Sequence, residues 1–324
     1  FQGTPLEEKF RATKYNNPPM GAGGIPDIDS SGWATDPRDY GMTAKDYIHA
    51  EVHAFFNDII GRTGDVNTFF HFPGLSPASD KFVVSPNNDT IYSFVIVNAQ
   101  DGFTLELPDD EGRFMAIQIV DENHMTPFYL YGGGDRRFER NQFESDYLAL
   151  YVRTGTTGTD EDVRKVTQVL QPQYKIVGAN PANNIPKPDL DVLLRVREAM
   201  VKEYSKLTTT SGAMQPRTGL VKDWEFYTYV TAGALGLSAD ENAMYTPYAL
   251  PNAVGGKCYK ATYPPVPAKA FFSITVYGPD KYLMSDNDNI VSSNRGVITN
   301  ADGSFTVSFG GADCRQHAPN YAYT

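Results

Sequence analysis

The region from Phe69 to Arg153 alternates apolar and polar residues with a period of two, and this pattern constrains the fold more than any other feature. Turn signals such as Asp101-Gly102 and the run from Pro108 to Gly112 divide it into short segments, as in antiparallel sheets. The spacing favours a sandwich or barrel over alternating β-α units. The predicted strands are Phe82–Val84, Thr90–Asn98, Phe103–Leu107, Arg113–Val120, Thr126–Tyr131 and Tyr147–Arg153.

The last quarter of the chain returns to a strand pattern. Asn300-Ala301-Asp302-Gly303 is a strong hairpin signal between two of its segments. The 20 Tyr, 19 Phe, 28 Gly and 22 Pro of the chain also favour a β-rich, turn-rich protein over a helical bundle. The predicted strands are Cys258–Tyr263, Ala270–Tyr277, Gly296–Thr299 and Ser304–Phe309.

Three regions have helical patterns instead. Thr43 and Asp46 form a capping box before apolar residues at helical spacing, and Gly61 is expected to end that helix. Thr159 caps a second segment whose first turn is acidic. A 3.6-residue period from Leu190 to Tyr204 predicts another helix, and the region from Asp223 to Leu237 a further one.

The predicted fold class is mainly β with a helical segment (α+β), built as two antiparallel β-sandwich or jelly-roll-like domains. The expected order is an arm over residues 1–40, a helix plus β-sandwich over 41–157, a helical segment over 158–250 and a second β-domain over 251–324. The arm is expected to lie on the surface or on a neighbouring subunit. Phe1-Gln2-Gly3 is typical of the remnant of a cleaved purification tag.

Charge and hydropathy limit the partners. The chain of 324 residues has a net charge of −11 and a pI near 4.9, which argues against binding to nucleic acid or anionic membranes. No apolar run approaches the ~18 residues of a membrane span. We expect a soluble, exported protein. Cys258 and Cys314 form either a disulfide or two separate thiols.

Two histidines lie four residues apart on the first predicted helix. His49 and His53 share a flank with Asp46, and two imidazoles plus one carboxylate are a ligand set for zinc or non-haem iron. A divalent metal is therefore a candidate cofactor. The alternative is a helix flank whose histidines hydrogen-bond to a neighbouring strand or to water.

The segment Ser85–Tyr92 reads Ser-Pro-Asn-Asn-Asp-Thr-Ile-Tyr. Its amide and carboxylate side chains stabilise a turn that enters a strand. They also exceed what one turn needs, so Asn87, Asn88, Asp89 and Tyr92 are candidates to line a pocket for a sugar or small acid. The two roles remain open alternatives.

Further candidates lie at the ends of other strands. Asp121 and His124 follow a predicted strand and form a candidate general acid/base pair, against the alternative of a polar loop. In the C-terminal part, Arg295 and Tyr277 are candidates to bind a carboxylate, because guanidinium offers a bidentate fork.

Several of these segments resemble a known pair of families. The Ser85–Tyr92 segment, Gly112-Arg113-Phe114, and the aromatic strand Phe272–Tyr277 occur in order with Arg295 and the 300–304 turn. This order is similar to that of the paired domains of unknown function 1254 and 1214 (DUF1254 and DUF1214). The resemblance implies two β-sandwich domains with helices between them and a homo-oligomer, but no established activity. Those families continue with a Trp- and Pro-rich strand, so the second domain is expected to be truncated here.

Two functional hypotheses follow. In the first, the protein is a hydrolase or lyase for a small polar or aromatic molecule, with Asp89, Asp121 and His124 as catalytic candidates and Arg295 as substrate anchor. In the second, it is a non-catalytic carbohydrate- or protein-binding module. Both expect the polar groups at the strand ends to gather around one shared cavity.

Overall fold

The computed structural model describes residues 23–81, 85–246, 248–250 and 253–324. Antiparallel sheets and several helices form the fold, which confirms the mainly β class with helices. The strands are β1 (Phe70–His71), β2 (Thr90–Asn98), β3 (Phe103–Glu106), β4 (Met115–Asp121), β5 (Phe128–Tyr131), β6 (Arg136–Phe138), β7 (Tyr147–Gly155), β8 (Lys175–Val177), β9 (Tyr259–Tyr263), β10 (Ser273–Thr275), β11 (Ile290–Ser292), β12 (Phe305–Gly310) and β13 (Asn320–Tyr323). The α-helices are α1 (Ala44–Thr63), α2 (Asp160–Lys165), α3 (Leu190–Tyr204) and α4 (Trp224–Gly233).

A five-stranded antiparallel sheet, ordered β1-β2-β7-β4-β5, lies at the centre. Because side chains alternate between faces, the period of two gives this sheet two different surfaces. Tyr92, Arg153 and Tyr131 belong to one row on one surface, since Tyr92 and Ala116 both pair with Arg153 and Ala116 pairs with Tyr131. We call this surface the tyrosine face.

The opposite surface of the central sheet is apolar and shares a core with the sheet β6-β3-β8. Phe128 of β5 contacts Phe138 of β6 with ring centroids 5.5 Å apart, and Phe138 stacks on Phe103 at 4.9 Å. All three rings are buried. The period of two in the sequence therefore correctly predicts that one face of this sheet is buried.

Helix α1 packs on the tyrosine face. Its cap is as predicted, because the Thr43 side chain accepts a hydrogen bond from the backbone N of Asp46. The expected end at Gly61 is wrong: the helix continues to Thr63, and Gly64, at φ 91°, closes it by donating to the carbonyl of Ile60. Phe55 meets Phe94 and Tyr151 edge-on, at 5.9 and 5.7 Å between centroids.

Helices α3 and α4 form a separate apolar cluster with α1, in which Tyr47, Val196 and Met200 are buried. The helix over Leu190–Tyr204 has its predicted bounds, and Thr159 and Asp223 cap α2 and α4. The α4 helix ends at Gly233, short of the predicted Leu237.

The described part of the arm, residues 23–40, lies on the helices of its own chain. Ile25 is buried in a cluster with Ile48, Met125 and Tyr227. The backbone N of Ala34 also donates to Glu225 at 2.8 Å.

The C-terminal part contains the sheets β13-β12-β9 and β10-β11. The hairpin turn at Asn300 forms, but the predicted strand Gly296–Thr299 is wrong. The backbone N and carbonyl of Ile298 bond instead to the side chain of Asn320, and β12 pairs with β9 and, in parallel, with β13.

Cys258 and Cys314 form a disulfide that joins the start of β9 to the turn between β12 and β13, so the first of the two alternatives for these cysteines applies. The predicted strand Phe82–Val84 lies outside the described residues. Among the described helices, none has the length and hydropathy needed to cross a bilayer.

Candidate functional site

A polar crevice of about 280 Å³ lies between α1 and the loop that follows β4. His49 and His53 face it from α1, with nearly parallel rings 5.9 Å apart. Glu122 and Asn123 face it from the loop. The remaining lining residues are Arg140, Glu144, Ser145 and Asp146.

Glu122 holds His53 in a fixed orientation. Its Oε1 accepts a hydrogen bond from His53 Nε2 at 2.9 Å, while Oε2 accepts from the backbone N of Asp146 and Tyr147 at 3.1 and 3.0 Å. The side chains of His53 and Glu122 are only 12% and 17% exposed. Because Nε2 donates to Glu122, Nδ1 is the ring nitrogen that can accept a proton. A general base uses this unprotonated nitrogen.

His49 is connected to a second carboxyl group through Asn123. His49 Nε2 lies 3.0 Å from Asn123 Oδ1, and Asn123 Nδ2 lies 3.5 Å from Asp121 Oδ2. Burial raises the pKa of Asp121 to about 7, although the backbone N of Asn123 and Met125 donate to it. Burial lowers the pKa of His49. Asn123 therefore links the buried carboxyl group of Asp121 to His49.

His124 faces away from the crevice. It is fully buried, and burial lowers its pKa to about 3. Its Nε2 accepts from the backbone N of Gly236 at 2.7 Å, and its Nδ1 lies 3.1 Å from Thr231 Oγ1. The side chains of Asp121 and His124 do not bond to each other, because Asp121 accepts from the backbone N of its own turn while His124 bonds to Thr231 and Gly236. His124 links the end of β4 to α4.

Asp46 does not join the two histidines. It is exposed and bonds to the capping residue Thr43. Among the described residues, the one group of three His, Cys, Asp or Glu side chains with ligand atoms within 4.8 Å of one another is Cys258, Asp313 and Cys314, whose thiols are oxidised to a disulfide. The residues present do not form a three-ligand metal site at His49 and His53.

A second polar group connects the start of β2 to the C-terminal part. Asn88 bonds to both backbone groups of Ser76, and its carbonyl accepts from Arg295 Nη2. Buried Asp89 accepts from Ser292 Oγ, while its Oδ2 has no partner. Burial lowers the pKa of Arg295.

The other candidates of this segment also bond locally. The Asn87 side chain accepts from the backbone N of Asp89 at 2.6 Å. Tyr277 donates to the carbonyl of Pro86 at 2.9 Å, and burial raises the pKa of its hydroxyl to about 12. Tyr92 lies nearby on the tyrosine face. These residues fasten the C-terminal part to β2.

The two groups do not share a cavity. In the register of the central sheet, Thr90 pairs with Gly155 but Asp121 pairs with Leu148. Seven residues along β7 separate these positions, which at about 3.4 Å per residue is roughly 24 Å. The expectation that all polar strand ends gather around one hollow is therefore wrong, because the antiparallel register places Asp89 and Asp121 at opposite ends of the sheet.

Sequence reasoning missed several residues of the crevice. Ser145 and Asp146 precede β7, and no local pattern connects them with α1. Outside the crevice, sequence analysis also did not single out Arg153. This residue lies on the same face of β7 as the buried residues Ala149 and Tyr151, because side chains two positions apart in a strand point to the same side.

Comparison with known proteins agrees with this β-rich fold. Residues 66–138 match the family described as Protein of unknown function (DUF1254), which confirms the resemblance over that segment. The fold is similar to the crystal structure of the VPA0106 protein from Vibrio parahaemolyticus, with a TM-score of 0.62 and 16% identity over 89% of this chain and 92% of that chain.

A putative uncharacterized protein from Burkholderia cenocepacia is also similar, with a TM-score of 0.43 and 16% identity over 86% of this chain and 80% of that chain. No curated protein matches the chain significantly. At such identity, the likeness to the Vibrio protein shows the fold alone.

Proposed function

We propose that the protein is an acid–base enzyme of the hydrolase or lyase type, with the crevice between α1 and the β4 loop as its active site. The observation that carries this proposal is the His53–Glu122 pair, in which a carboxylate fixed by two backbone N–H groups orients an imidazole at the wall of a cavity. This is the arrangement that general-base catalysis requires.

In this proposal His53 Nδ1 removes a proton from water or from the substrate, and Glu122 stabilises the imidazolium that forms. The proton then passes to the leaving group. Asp121 acts through Asn123 on the orientation of His49 and is a positioning residue. The roles first proposed for Asp89 and His124 are not supported, because both side chains are buried among structural partners.

The lining of the crevice limits the substrate to a small polar molecule. Glu122, Glu144 and Asp146 contribute negative charge, and Arg140 is paired with Asp146 at 2.7 Å. Neutral or cationic molecules therefore suit this site better than anions. The same carboxylate and amide groups also suit the hydroxyls of a sugar, which favours the second candidate function, a carbohydrate-binding module.

A panel of nitrophenyl esters and nitrophenyl glycosides tests the proposal. We expect turnover of at least one member, and His53→Gln should lower kcat/KM by about 10²- to 10⁴-fold. His317→Gln, which alters an exposed histidine far along the chain, is the matched control and should retain full activity.

Equal activity of His53→Gln and the wild-type protein would refute the assignment of the base. Saturable glycoside binding without turnover, lost in the same variant, would instead support the carbohydrate-binding module.

The wider architecture is also part of this proposal. We propose that the β-units form sandwich or jelly-roll domains over 41–157 and 251–324, the second of the DUF1214 type, and that the protein forms a homo-oligomer. The Cys258–Cys314 disulfide supports export to an oxidising compartment.

A further inference from the structure

Arg153 is a buried cation that has no counter-ion among the residues that the structure describes. It lies on β7, the middle strand of the central sheet, and is only 8% exposed. Its Nη1 reaches Tyr129 Oη at a long 3.4 Å, and its Nε has no hydrogen-bond partner. In the part of the chain that the structure describes, no carboxylate forms an ion pair with it.

Three other arginines of the described residues have partners that compensate their charge. Arg113 forms two hydrogen bonds with the carboxylate of Asp162, at 2.9 and 2.7 Å, and Arg197 pairs with buried Glu51. The equally buried Arg136 donates to a ring of backbone carbonyls from residues 131–134. Because an uncompensated buried charge is costly, Arg153 calls for a different explanation.

Aromatic rings surround the guanidinium. Its Cζ lies 5.8 Å from the ring centroid of Tyr92 and 5.9 Å from that of Phe114. Cation–π contacts at such distances contribute at most about 2 kcal/mol, which offsets only part of the cost of burial. Burial lowers the pKa of Arg153, but the phenols of Tyr92, Tyr129 and Tyr245 more than reverse this, so the group stays charged.

Residues of two irregular segments also lie near Arg153. Tyr245 belongs to the loop after α4 and is 59% exposed overall. Its hydroxyl lies close enough to Arg153 to raise the pKa of the guanidinium. Phe271 precedes β10 and meets Phe114 edge-on at 4.9 Å.

We propose that Arg153 anchors a binding site for a small organic carboxylate with a planar aromatic body. The guanidinium fork binds the two carboxylate oxygens, which supplies the missing counter-ion. The rings of Tyr92 and Phe114 contact the apolar body, and the hydroxyl of Tyr129 donates to the carboxylate. This site is separate from the crevice, which is acidic and lies near the opposite end of the sheet.

Benzoate is the probe, and calorimetry of the full chain is the measurement. We expect saturable binding at millimolar benzoate or below. Arg153→Met, which keeps the length of the side chain without its charge, should weaken that binding about 10- to 100-fold. The matched control Arg137→Met alters an exposed arginine that pairs with Glu139 and should bind benzoate like the wild-type protein.

A thermal scan of the ligand-free variants separates binding from a structural role. Removal of an unpaired buried charge should leave the Tm of Arg153→Met unchanged or higher, whereas a structural role requires a lower Tm. The proposal is overturned if benzoate does not bind, if it binds Arg153→Met equally well, or if inorganic phosphate binds more tightly.

A crystal of the wild-type protein soaked with 4-bromobenzoate provides a test that does not depend on the folding of a variant. The anomalous signal of bromine should lie beside Tyr92 and Phe114. A signal elsewhere, with none beside these rings, would also overturn the proposal.

Discussion

Replacement of Asp121 by asparagine should make the protein more stable at neutral pH and less sensitive to pH. Asp121 is fully buried, and both hydrogen bonds from the backbone N of Asn123 and Met125 go to Oδ1. The amide oxygen of an asparagine can accept the same two bonds. The substitution therefore removes the ionisation and keeps both backbone hydrogen bonds, at the loss of the 3.5 Å contact between Asn123 Nδ2 and Oδ2 of the carboxyl group.

The magnitude follows from the two pKa values of the carboxyl group. The pKa is about 7 in the folded chain and about 3.8 in the unfolded chain. Each pKa unit is worth about 1.4 kcal/mol, so ionisation of Asp121 costs the folded state about 4 kcal/mol. Below pH 4 the carboxyl group is protonated in both states, and the folded state keeps its full stability. As the pH rises to 7, only the unfolded chain releases this proton, so the free energy of unfolding of the wild-type protein falls.

Urea unfolding between pH 4 and pH 8 measures this effect. The fluorescence of Trp33 and Trp224 is a suitable signal, because Trp224 packs on Tyr227, whose hydroxyl donates to the carbonyl of His124. The difference in unfolding free energy between Asp121→Asn and the wild-type protein should grow by about 1.4 kcal/mol per pH unit in favour of the variant up to about pH 7, and should level off above it.

The contributions of the other titrating groups to the free energy of unfolding cancel in this difference, since both proteins contain those groups. Asp135→Asn, at an exposed position, controls for the loss of one negative charge. A difference that stays constant from pH 4 to pH 8 would show that Asp121 is ionised throughout, and would refute the reasoning.

Two further predictions concern stability alone. Reduction of the Cys258–Cys314 disulfide, which closes a loop with a sequence separation of 56, should destabilise the C-terminal sheets by about 4 kcal/mol, measurable as loss of protease protection there; unchanged protection would contradict this. Glu51→Gln breaks the ion pair with Arg197 and should lower the free energy of unfolding in urea by about 2–3 kcal/mol. This loss is smaller than for a fully buried pair, because the Arg197 side chain is 38% exposed. A change below the error of the titration would contradict the prediction.

Local patterns in the sequence were sufficient for most elements of the first β-unit and of the helices. The strand over Thr90–Asn98 and the helix over Leu190–Tyr204 have their predicted bounds, and Thr43 caps α1 as expected. Side-chain periodicity and capping depend on residues a few positions apart, which are visible in the sequence. The strand predicted over Gly296–Thr299 failed because the side chain of Asn320, from a distant segment, took its backbone hydrogen bonds.

The candidate site was less predictable than the fold. The sequence showed that His49 and His53 lie on one side of a helix, but Glu122 and Asn123 became their partners only through the packing of α1 against the β4 loop. Asp46 has the correct helical spacing for a ligand and yet bonds to Thr43, because capping bonds at a helix start compete for its side chain.

By itself, the sequence determined the class of fold, the two surfaces of the central sheet and the residue types available for chemistry, because these depend on local periodicity and composition. The tertiary structure alone decided that Asp89 and Asp121 lie far apart, that the two cysteines meet, and that no carboxylate of the described ranges pairs with the buried Arg153. The physical reason is that strand register and the packing of loops bring together residues that are distant in sequence, and these contacts depend on the free energy of the whole chain.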